Sequence, residues 1–244
     1  MATSTKGLVI KEQTIGESDR LVTLLTAEYG LVRAFVRGAK QIKNRLAAST
    51  SLFAYSEFSL YRGRDAFVVD NASPIEVFFD LRKDIVKLSL AQYFAQLAYE
   101  LCDEEQPAGE SLSVILNALH LLCSSNKDNR IIKSAAELRL VSLGGYMPNI
   151  LACAKCNTYE TDLMYFDTLN GSVYCESCGT ADMIPCPKNV ITAVRFICLT
   201  EPKKIYSFSL SEDNLNLLSQ ISEKYIISRI QKKLPTLAFY KSLL

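Results

Sequence analysis

Eight cysteines occur in this chain of 244 residues, and the clustering of four of them strongly limits how the chain can fold. They form two C-x₂-C pairs, the first knuckle of Cys153 and Cys156 and the second knuckle of Cys175 and Cys178. The spacing between the pairs is typical of a tetrahedral four-cysteine zinc site. Between the knuckles, Asn170-Gly171 is a strong hairpin turn signal, and a hairpin would bring the second knuckle back beside the first.

The chemistry of four thiolates indicates a structural role for the ion. Catalytic zinc usually keeps one open position with three protein ligands, whereas four thiolates close the shell. We therefore expect one structural Zn²⁺ per chain. Two alternatives stay open, an iron–sulfur centre, which four thiolates also suit, and four thiols that hold no metal. The remaining cysteines are interpreted as small buried hydrophobic residues: Cys102, Cys123, Cys186 and Cys198.

The pattern of apolar residues changes near Pro74, which indicates an α+β chain. Before it, segments such as Leu31-Val-Arg-Ala-Phe-Val-Arg-Gly alternate with period two, and several short strands predict a small barrel or sandwich. After it, apolar residues recur at helical spacing over residues 80–105, 111–123, 129–143, 187–199 and 211–233. The predicted domains are residues 1–75 and residues 76–244, the second with an inserted zinc motif at about 150–182.

The formal net charge is only +1, but the strand-rich part carries a strongly basic stretch. From Leu31 to Arg64 the one acidic residue is Glu57, and seven residues are basic: Arg33, Arg37, Lys40, Lys43, Arg45, Arg62 and Arg64. Such a stretch suits nucleic-acid phosphates, although a solvated charged face explains the composition equally well. Three nearby aromatic residues could stack on unpaired bases, but the pattern favours core positions for them: Tyr55, Phe58 and Tyr61.

Several enzyme classes find no support in the sequence. His120 is the single histidine and lies in an apolar helical stretch, which favours a packed core or boundary position over a catalytic base. The acidic run that begins at Asp103 is interpreted as solvated charge, and no phosphate-binding loop of the G-x-x-x-x-G-K-[ST] type occurs. No signal peptide, membrane span or small-molecule site is predicted, so we expect a cytoplasmic protein that is not an enzyme.

Several motifs resemble those of the RecO recombination mediators, in the right order along nearly the whole chain. The first is Ile15-Gly-Glu-Ser-Asp-Arg-Leu-Val-Thr-Leu-Leu-Thr-Ala-Glu-Tyr-Gly. The others are Val36-Arg-Gly-Ala-Lys, Phe58-Ser-Leu-Tyr-Arg-Gly-Arg, Glu137-Leu-Arg-Leu with Gly144-Gly-Tyr-Met-Pro-Asn, and Tyr240-Lys-Ser-Leu-Leu. One departure is the short stretch after Cys178, which contains Cys186 and raises the question of which cysteines bind.

The resemblance implies an N-terminal oligonucleotide-binding (OB) barrel and a helical domain that carries the zinc knuckles. It also implies binding of single- and double-stranded DNA, annealing of strands coated with single-strand-binding protein, and recombinase loading with RecR at the nucleoid. Carried onto this chain, the DNA-binding positions are Arg20, Arg33, Arg37, Lys40, Lys43, Arg45, Arg62 and Arg64. By position only, the acidic tail of single-strand-binding protein would contact Lys232, Lys233 and Lys241.

Three competing functions remain at this point. A zinc-ribbon module could bind RNA or protein without annealing activity, using the same barrel and ribbon. A zinc-dependent deaminase or nuclease would need an open metal position with a nearby Glu or His, which the four cysteines do not offer. The third is a structural scaffold with an incidental basic face.

Overall fold

The computed structural model describes residues 2–39, 44–63 and 66–244. The chain forms two compact units, one from residues 1–124 together with 234–244 and the other from residues 125–233. The first unit is thus assembled from two separate stretches of sequence. The two compact units are defined by contacts alone and do not test where one domain ends and the next begins. The predicted domain boundary at residue 75 therefore stays a prediction.

Five strands of the first unit close into a barrel, as the resemblance implies. The strands are β1 (Ala2–Ile15), β2 (Asp19–Thr26), β3 (Gly30–Val36), β4 (Ala54–Arg62) and β5 (Phe67–Val77). They pair in the order β1-β2-β3-β5-β4, and β1 also pairs with β4. Only the pairing of β3 with β5 is parallel among these strands. This five-stranded, OB-like barrel confirms the predicted strand-rich N-terminal part.

Alternation along the strands separates the barrel core from its outer surface. In β3, Val32, Ala34 and Val36 are buried in the core, whereas Arg33 between them is exposed. In β4, Phe58 lies in the same core. The period-two pattern of the sequence therefore gives this barrel an apolar interior and carries basic side chains on the outside.

Helices complete the first unit. A short 3₁₀ helix (Phe79–Lys83) leads into α1 (Ile85–Leu101) and α2 (Gly109–Ser124). Asp84 caps the start of α1, because its side chain accepts hydrogen bonds from the backbone N–H groups of Val86 and Lys87 at 2.9 and 3.1 Å. This is the usual way in which an aspartate satisfies the first free N–H groups of a helix.

The second unit contains three helices. They are α3 (Asn129–Leu143), α4 (Lys188–Leu199) and α5 (Glu212–Ile230), all at the predicted positions, and the chain ends with α6 (Pro235–Lys241), which belongs to the first unit. Helix α3 starts after the capping residue Asp128 and stops at Gly144, as predicted. A buried ion pair joins Lys133 to Glu137 at 2.9 Å within α3. No helix of the described residues is long and apolar enough to cross a membrane.

The second unit also contains a small antiparallel sheet of three strands. Its strands are β6 (Leu163–Asp167), β7 (Ser172–Cys175) and β8 (Ile184–Pro187), and β6 lies in the middle. The predicted hairpin at Asn170-Gly171 joins β6 to β7. The Asp167 carboxylate holds the turn, because it accepts hydrogen bonds from the backbone N–H groups of Leu169 and Asn170 at 2.8 and 3.0 Å.

Candidate functional site

The two cysteine knuckles come together beside the hairpin. The Sγ atoms of all four cysteines lie within 4.8 Å of one another. Cys153 and Cys175 are buried, Cys178 is partly buried and Cys156 is exposed. The four side chains thus form one compact, all-sulfur donor set that can hold a metal ion.

The backbone around each knuckle folds in the same way. The N–H of Asn157 donates to the carbonyl of Cys153 at 2.9 Å, and the N–H of Gly179 donates to that of Cys175 at 2.9 Å. Asn157 adopts the left-handed region, with φ of 61°. These bonds curl each C-x₂-C segment so that its two thiols point to the same side.

Close packing explains the glycine after the second knuckle. A Cβ at Gly179 would lie 2.5 Å from two ring atoms of Tyr165, which is closer than side-chain packing tolerates. Tyr165 is in β6, the central strand of the small sheet. The absence of a side chain at residue 179 therefore lets the second knuckle rest against that strand.

Hydrogen bonds also attach the first knuckle to the strand that ends in the second. The N–H of Ala154 donates to the carbonyl of Val173 at 2.9 Å, and the N–H of Val173 donates to the carbonyl of Asn149 at 3.1 Å. Val173 is two residues before Cys175 on β7. This register fixes the distance between the two knuckles.

Local dipoles change the acidity of these thiols. Burial opposes ionisation of Cys153, but the backbone N–H groups of Cys175, Cys156 and Lys155 outweigh it and lower its pKa to about 6. The hydroxyl of Thr158, 3.2 Å from the Cys156 Sγ, lowers the pKa of that thiol. Hydrogen bonding to Cys175, together with burial, raises the pKa of Cys178 to about 12. The four thiols lie close together, and the two of the first knuckle ionise more readily than an ordinary thiol. This arrangement fits a thiophilic cation.

The other cysteines lie apart from this cluster. Cys186 is buried in β8, donates to the Ile184 carbonyl at 3.2 Å and has its pKa raised to about 12 by burial. Cys198 is also buried, as predicted. Cys102 and Cys123 are only partly buried, because Cys102 follows the last residue of α1 and Cys123 lies in the last turn of α2. The interpretation as buried residues is therefore confirmed for Cys186 and Cys198 and holds only in part for these two.

The described basic residues of the barrel lie mainly on its outer surface. Arg37 and Arg45 are exposed, and Arg62 is exposed at the end of β4. Arg33 projects from β3, and its Nε lies 3.1 Å from the Oε1 of Glu104. Three predicted positions lie outside the described residues: Lys40, Lys43 and Arg64.

A cleft of about 460 Å³ opens beside Arg33 and Arg62. Its other lining residues include the aromatic rings of Tyr29 and Phe67 and the acidic Glu104. Arginines beside aromatic rings can hold both the phosphate and the base of a nucleotide. The carboxylate of Glu104 works against phosphate binding in the same place.

Arg20 is placed differently from the other predicted arginines. Its side chain is only 17% exposed, and its guanidinium contacts Glu12 at 3.3 Å and the carbonyl of Thr50 at 3.1 Å. Much of its donor capacity is therefore used within the barrel. The predicted partner-binding lysines are all exposed: Lys232, Lys233 and Lys241.

The core positions predicted for the aromatic residues of β4 are confirmed for one of them. Phe58 is fully buried, as predicted, whereas Tyr55 is partly buried and Tyr61 is 37% exposed. The two tyrosines occupy outward positions of β4, so the core prediction is wrong for Tyr61. His120 is exposed on α2, with its Nδ1 3.8 Å from a carboxylate oxygen of Glu76, and not packed in a core.

Sequence reasoning missed one residue that contacts the metal-binding segment. Arg195 in α4 is 7% exposed and donates to backbone carbonyls on both sides of the first knuckle. The signal was a single arginine in the apolar run Val190-Ile-Thr-Ala-Val-Arg-Phe-Ile-Cys-Leu. A charged residue at a buried helical position needs partners from elsewhere in the fold.

Comparison with known proteins agrees with this architecture. A family model described as "Recombination protein O N terminal" matches residues 1–78, and one described as "Recombination protein O C terminal" matches residues 82–238. A protein named DNA repair protein RecO from Acetivibrio thermocellus is 33% identical over 241 residues, which cover 98% of this chain and 96% of that protein. Proteins of the same name are 26% identical over 234 residues in Alkaliphilus metalliredigens, covering 95% of both chains, and 27% identical over 237 residues in Caldicellulosiruptor bescii, covering 97% of both.

Proposed function

Because the chain belongs to the RecO family of DNA repair proteins, we propose that it acts as a recombination mediator that binds single- and double-stranded DNA and anneals complementary strands. The observation that carries this proposal is the exposed set of arginines on an OB-like barrel, above all Arg33, Arg37 and Arg62. With a net charge of +1, the chain attracts DNA through this local surface and not through its overall charge.

Annealing of this kind needs electrostatic screening and proximity, with no bond made or broken. Arginine and lysine side chains displace the counterions of two phosphate backbones, which reduces their repulsion. Holding both strands on one protein raises their effective concentration. In this proposal, the exposed ring of Tyr61 and the rings of the cleft beside Arg33 stack on unpaired bases while the strands search for register.

Two protein partners belong to the same proposal. RecR would join the complex that loads recombinase. The acidic tail of single-strand-binding protein would contact exposed lysines near the C-terminus, Lys232, Lys233 and Lys241. Complementary charge of this kind mainly speeds encounter and selects the partner. The work would take place in the cytoplasm, at the nucleoid.

We assign the metal at the four cysteines as one structural Zn²⁺. The support is the donor set, four sulfur atoms within 4.8 Å of one another on two C-x₂-C knuckles. When bound, such an ion crosslinks the two knuckles and stabilises the fold around them. Cys153, Cys156, Cys175 and Cys178 would fill its tetrahedral shell and leave no position for a substrate. For this reason we propose a binding protein and not a zinc-dependent enzyme.

Strand annealing tests the proposed activity directly. Two complementary labelled oligonucleotides, each coated with the cognate single-strand-binding protein, are mixed with and without this chain at moderate salt. Faster duplex formation without added nucleotide is the expected result. DNA binding without acceleration would reject the mediator role and favour a binding module, and a strong preference for structured RNA would favour a zinc-ribbon RNA-binding protein.

A further inference from the structure

Arg195 is a buried arginine whose hydrogen bonds converge on one loop. Its Nε donates to the carbonyl of Ile150 at 2.7 Å, and one terminal nitrogen donates to the carbonyls of Tyr159 and Leu151 at 2.7 and 3.1 Å. The guanidinium also lies over the ring of Tyr159, 4.5 Å from its centroid. With a residue exposure of 7%, the side chain is almost fully withdrawn from water.

These acceptors lie on both sides of the first knuckle. Ile150 and Leu151 precede Cys153, and Tyr159 follows Cys156. The loop of residues 150–160 therefore has its two ends joined through a single side chain of α4. A carboxylate completes the arrangement, because Glu160 lies 3.3 Å from Arg195 and 2.8 Å from the Nζ of Lys188, the first residue of that helix.

The burial of Arg195 and the closed loop depend on each other. A buried guanidinium without acceptors is strongly unfavourable, and only the closed loop supplies its carbonyl acceptors here. Conversely, the planar fork of the guanidinium fixes the carbonyls in direction as well as in distance. Hydrogen bonds from Arg195 thus close the loop around the first knuckle.

We propose that Arg195 is a positioning residue for the metal centre, which holds Cys153 and Cys156 in their ligating arrangement before the ion arrives. This inference rests on the zinc site proposed above. Because the entropy of closing the first knuckle is already lost in the metal-free protein, less of the binding free energy is spent on ordering it. Zinc affinity should therefore depend on Arg195, although it donates nothing to the metal.

Arg229 provides a matched control in the same unit. It lies in α5, donates to the carbonyls of Thr168 and Leu169, and has its guanidinium 4.9 Å from the centroid of the Tyr225 ring. These are the same kinds of contact that Arg195 makes, but they hold the turn between β6 and β7. That turn contains no cysteine, so Arg229 tests whether any arginine that fastens a loop has the same effect.

The experiment measures zinc affinity and zinc release with a competing chromophoric chelator in the full chain and in Arg195→Lys, Arg195→Gln and Arg229→Gln. Arg195→Gln should weaken zinc binding by about 10- to 100-fold and speed release, as loss of groups that orient metal ligands usually does. Arg195→Lys should be intermediate, since it keeps the charge and loses the fork. Arg229→Gln should bind zinc like the unmodified chain, whatever it does to the melting temperature.

The results distinguish a failure of the positioning role from a failure of the proposed zinc site. An unmodified chain that takes up no zinc rejects the zinc site itself, and the role of Arg195 with it. If that chain binds zinc, wild-type affinity in Arg195→Gln overturns the positioning role, and so does an equal loss in Arg229→Gln. Should Arg195→Gln fail to fold, Arg195→Lys and Glu160→Gln decide, and unchanged affinity in both would contradict the proposal.

Discussion

The Oε1 atom of Glu104 lies 3.1 Å from the Nε of Arg33, so one arginine of the proposed DNA-binding surface already forms an ion pair with an acidic side chain. The loop that carries it is fixed by backbone bonds, from the N–H of Leu31 to the carbonyl of Asp103 and from the N–H of Glu105 to that of Tyr29, both at 3.0 Å. Both side chains of the ion pair are more than half exposed. A phosphate must therefore compete with a resident carboxylate.

Replacing that carboxylate should strengthen DNA binding. We expect Glu104→Gln to bind single-stranded DNA about two- to fivefold more tightly at low salt, the range that an exposed ion pair allows. The gain should shrink as salt screens the charges. Fluorescence anisotropy at several salt concentrations measures this. Glu105→Gln removes the same charge one residue along in the same cleft and leaves the ion pair intact, so an equal gain there would assign the effect to the charge of the cleft and not to the ion pair.

Charge reversal in the basic stretch should weaken DNA binding and flatten its salt dependence. For Arg37→Glu with Lys40→Glu and Lys43→Glu, each lost phosphate contact should reduce the slope of log K against log salt by about 0.7 to 0.9. Lys203→Glu, at an exposed position of the other compact unit, is the control. An unchanged slope in the triple variant would remove this stretch from the DNA-binding surface.

A side chain at residue 179 should disturb the metal centre. The Cβ in Gly179→Ala would meet the ring of Tyr165 at 2.5 Å, which forces the second knuckle away from β6. We expect a destabilisation of about 1–3 kcal/mol from overpacking, with reduced zinc content. Thermal unfolding and metal analysis check both. Adding Tyr165→Ala removes the ring and should restore part of the loss, whereas no recovery would show that the ring is not the cause.

Acid should weaken a second ion-pair network in the unit of residues 125–233. Hydrogen bonds from Arg130 hold the pKa of Asp128 below its usual range, and the same guanidinium lowers that of Glu212. Since both pKa values are lower in the folded state, this stabilisation is present at neutral pH and is lost as pH falls through the folded values. Arg130→Gln should therefore lower the melting temperature at pH 7 and make it fall less steeply below about pH 5.

Two comparisons make that pH measurement specific to Arg130. The buried pair of Lys133 and Glu137 is present in both chains, so its contribution to stability cancels in the difference. Lys224→Gln removes an exposed positive charge from α5 and should leave the slope unchanged. A wild-type slope in Arg130→Gln would contradict the predicted role of this network.

Zinc removal should act unevenly on the chain. Chelation should speed amide exchange around the second knuckle, residues 175–179, by about tenfold or more, because besides the ion it is held by its own backbone bonds and by packing on β6, without a buried arginine. The loop of residues 150–160 should exchange more slowly, since Arg195 holds it, and the barrel strands should keep their rates and most of their DNA binding. Equal loss of protection in the barrel and in both knuckles would contradict this order.

The barrel strands and the cysteine cluster could be predicted from the sequence, because alternation and residue spacing are both local patterns. Even so, local sequence does not show which face of β2 lies in the barrel core. The core face of β2 carries Val22 and Leu24, and Leu25 on the opposite face is also fully buried. Helix α2 packs on this strand, and local sequence does not reveal which helix covers a barrel strand.

Two elements, one strand and one helix, were not predicted from the sequence, for different physical reasons. Strand β8 contains Pro185 and Pro187, which argue against a central strand but are tolerated at a sheet edge, where β8 lies. Helix α6 has only seven residues and starts with Pro235 at its first position. The contacts of Arg195 and Glu104 could not be predicted either, because they join residues far apart in sequence whose proximity follows only from the fold.

The discontinuous first unit has a consequence for synthesis. Helix α6 packs on α1, and Thr236 donates to the side chain of Gln96, so contacts of the first unit are completed by residues 234–244. On the ribosome, the barrel and α1 emerge early, but the surface of α1 that α6 covers stays open until residues 234–244 have emerged. A nascent chain therefore exposes an unfinished helix face throughout the synthesis of residues 125–233, and premature termination would leave that face as a target for chaperones and proteases.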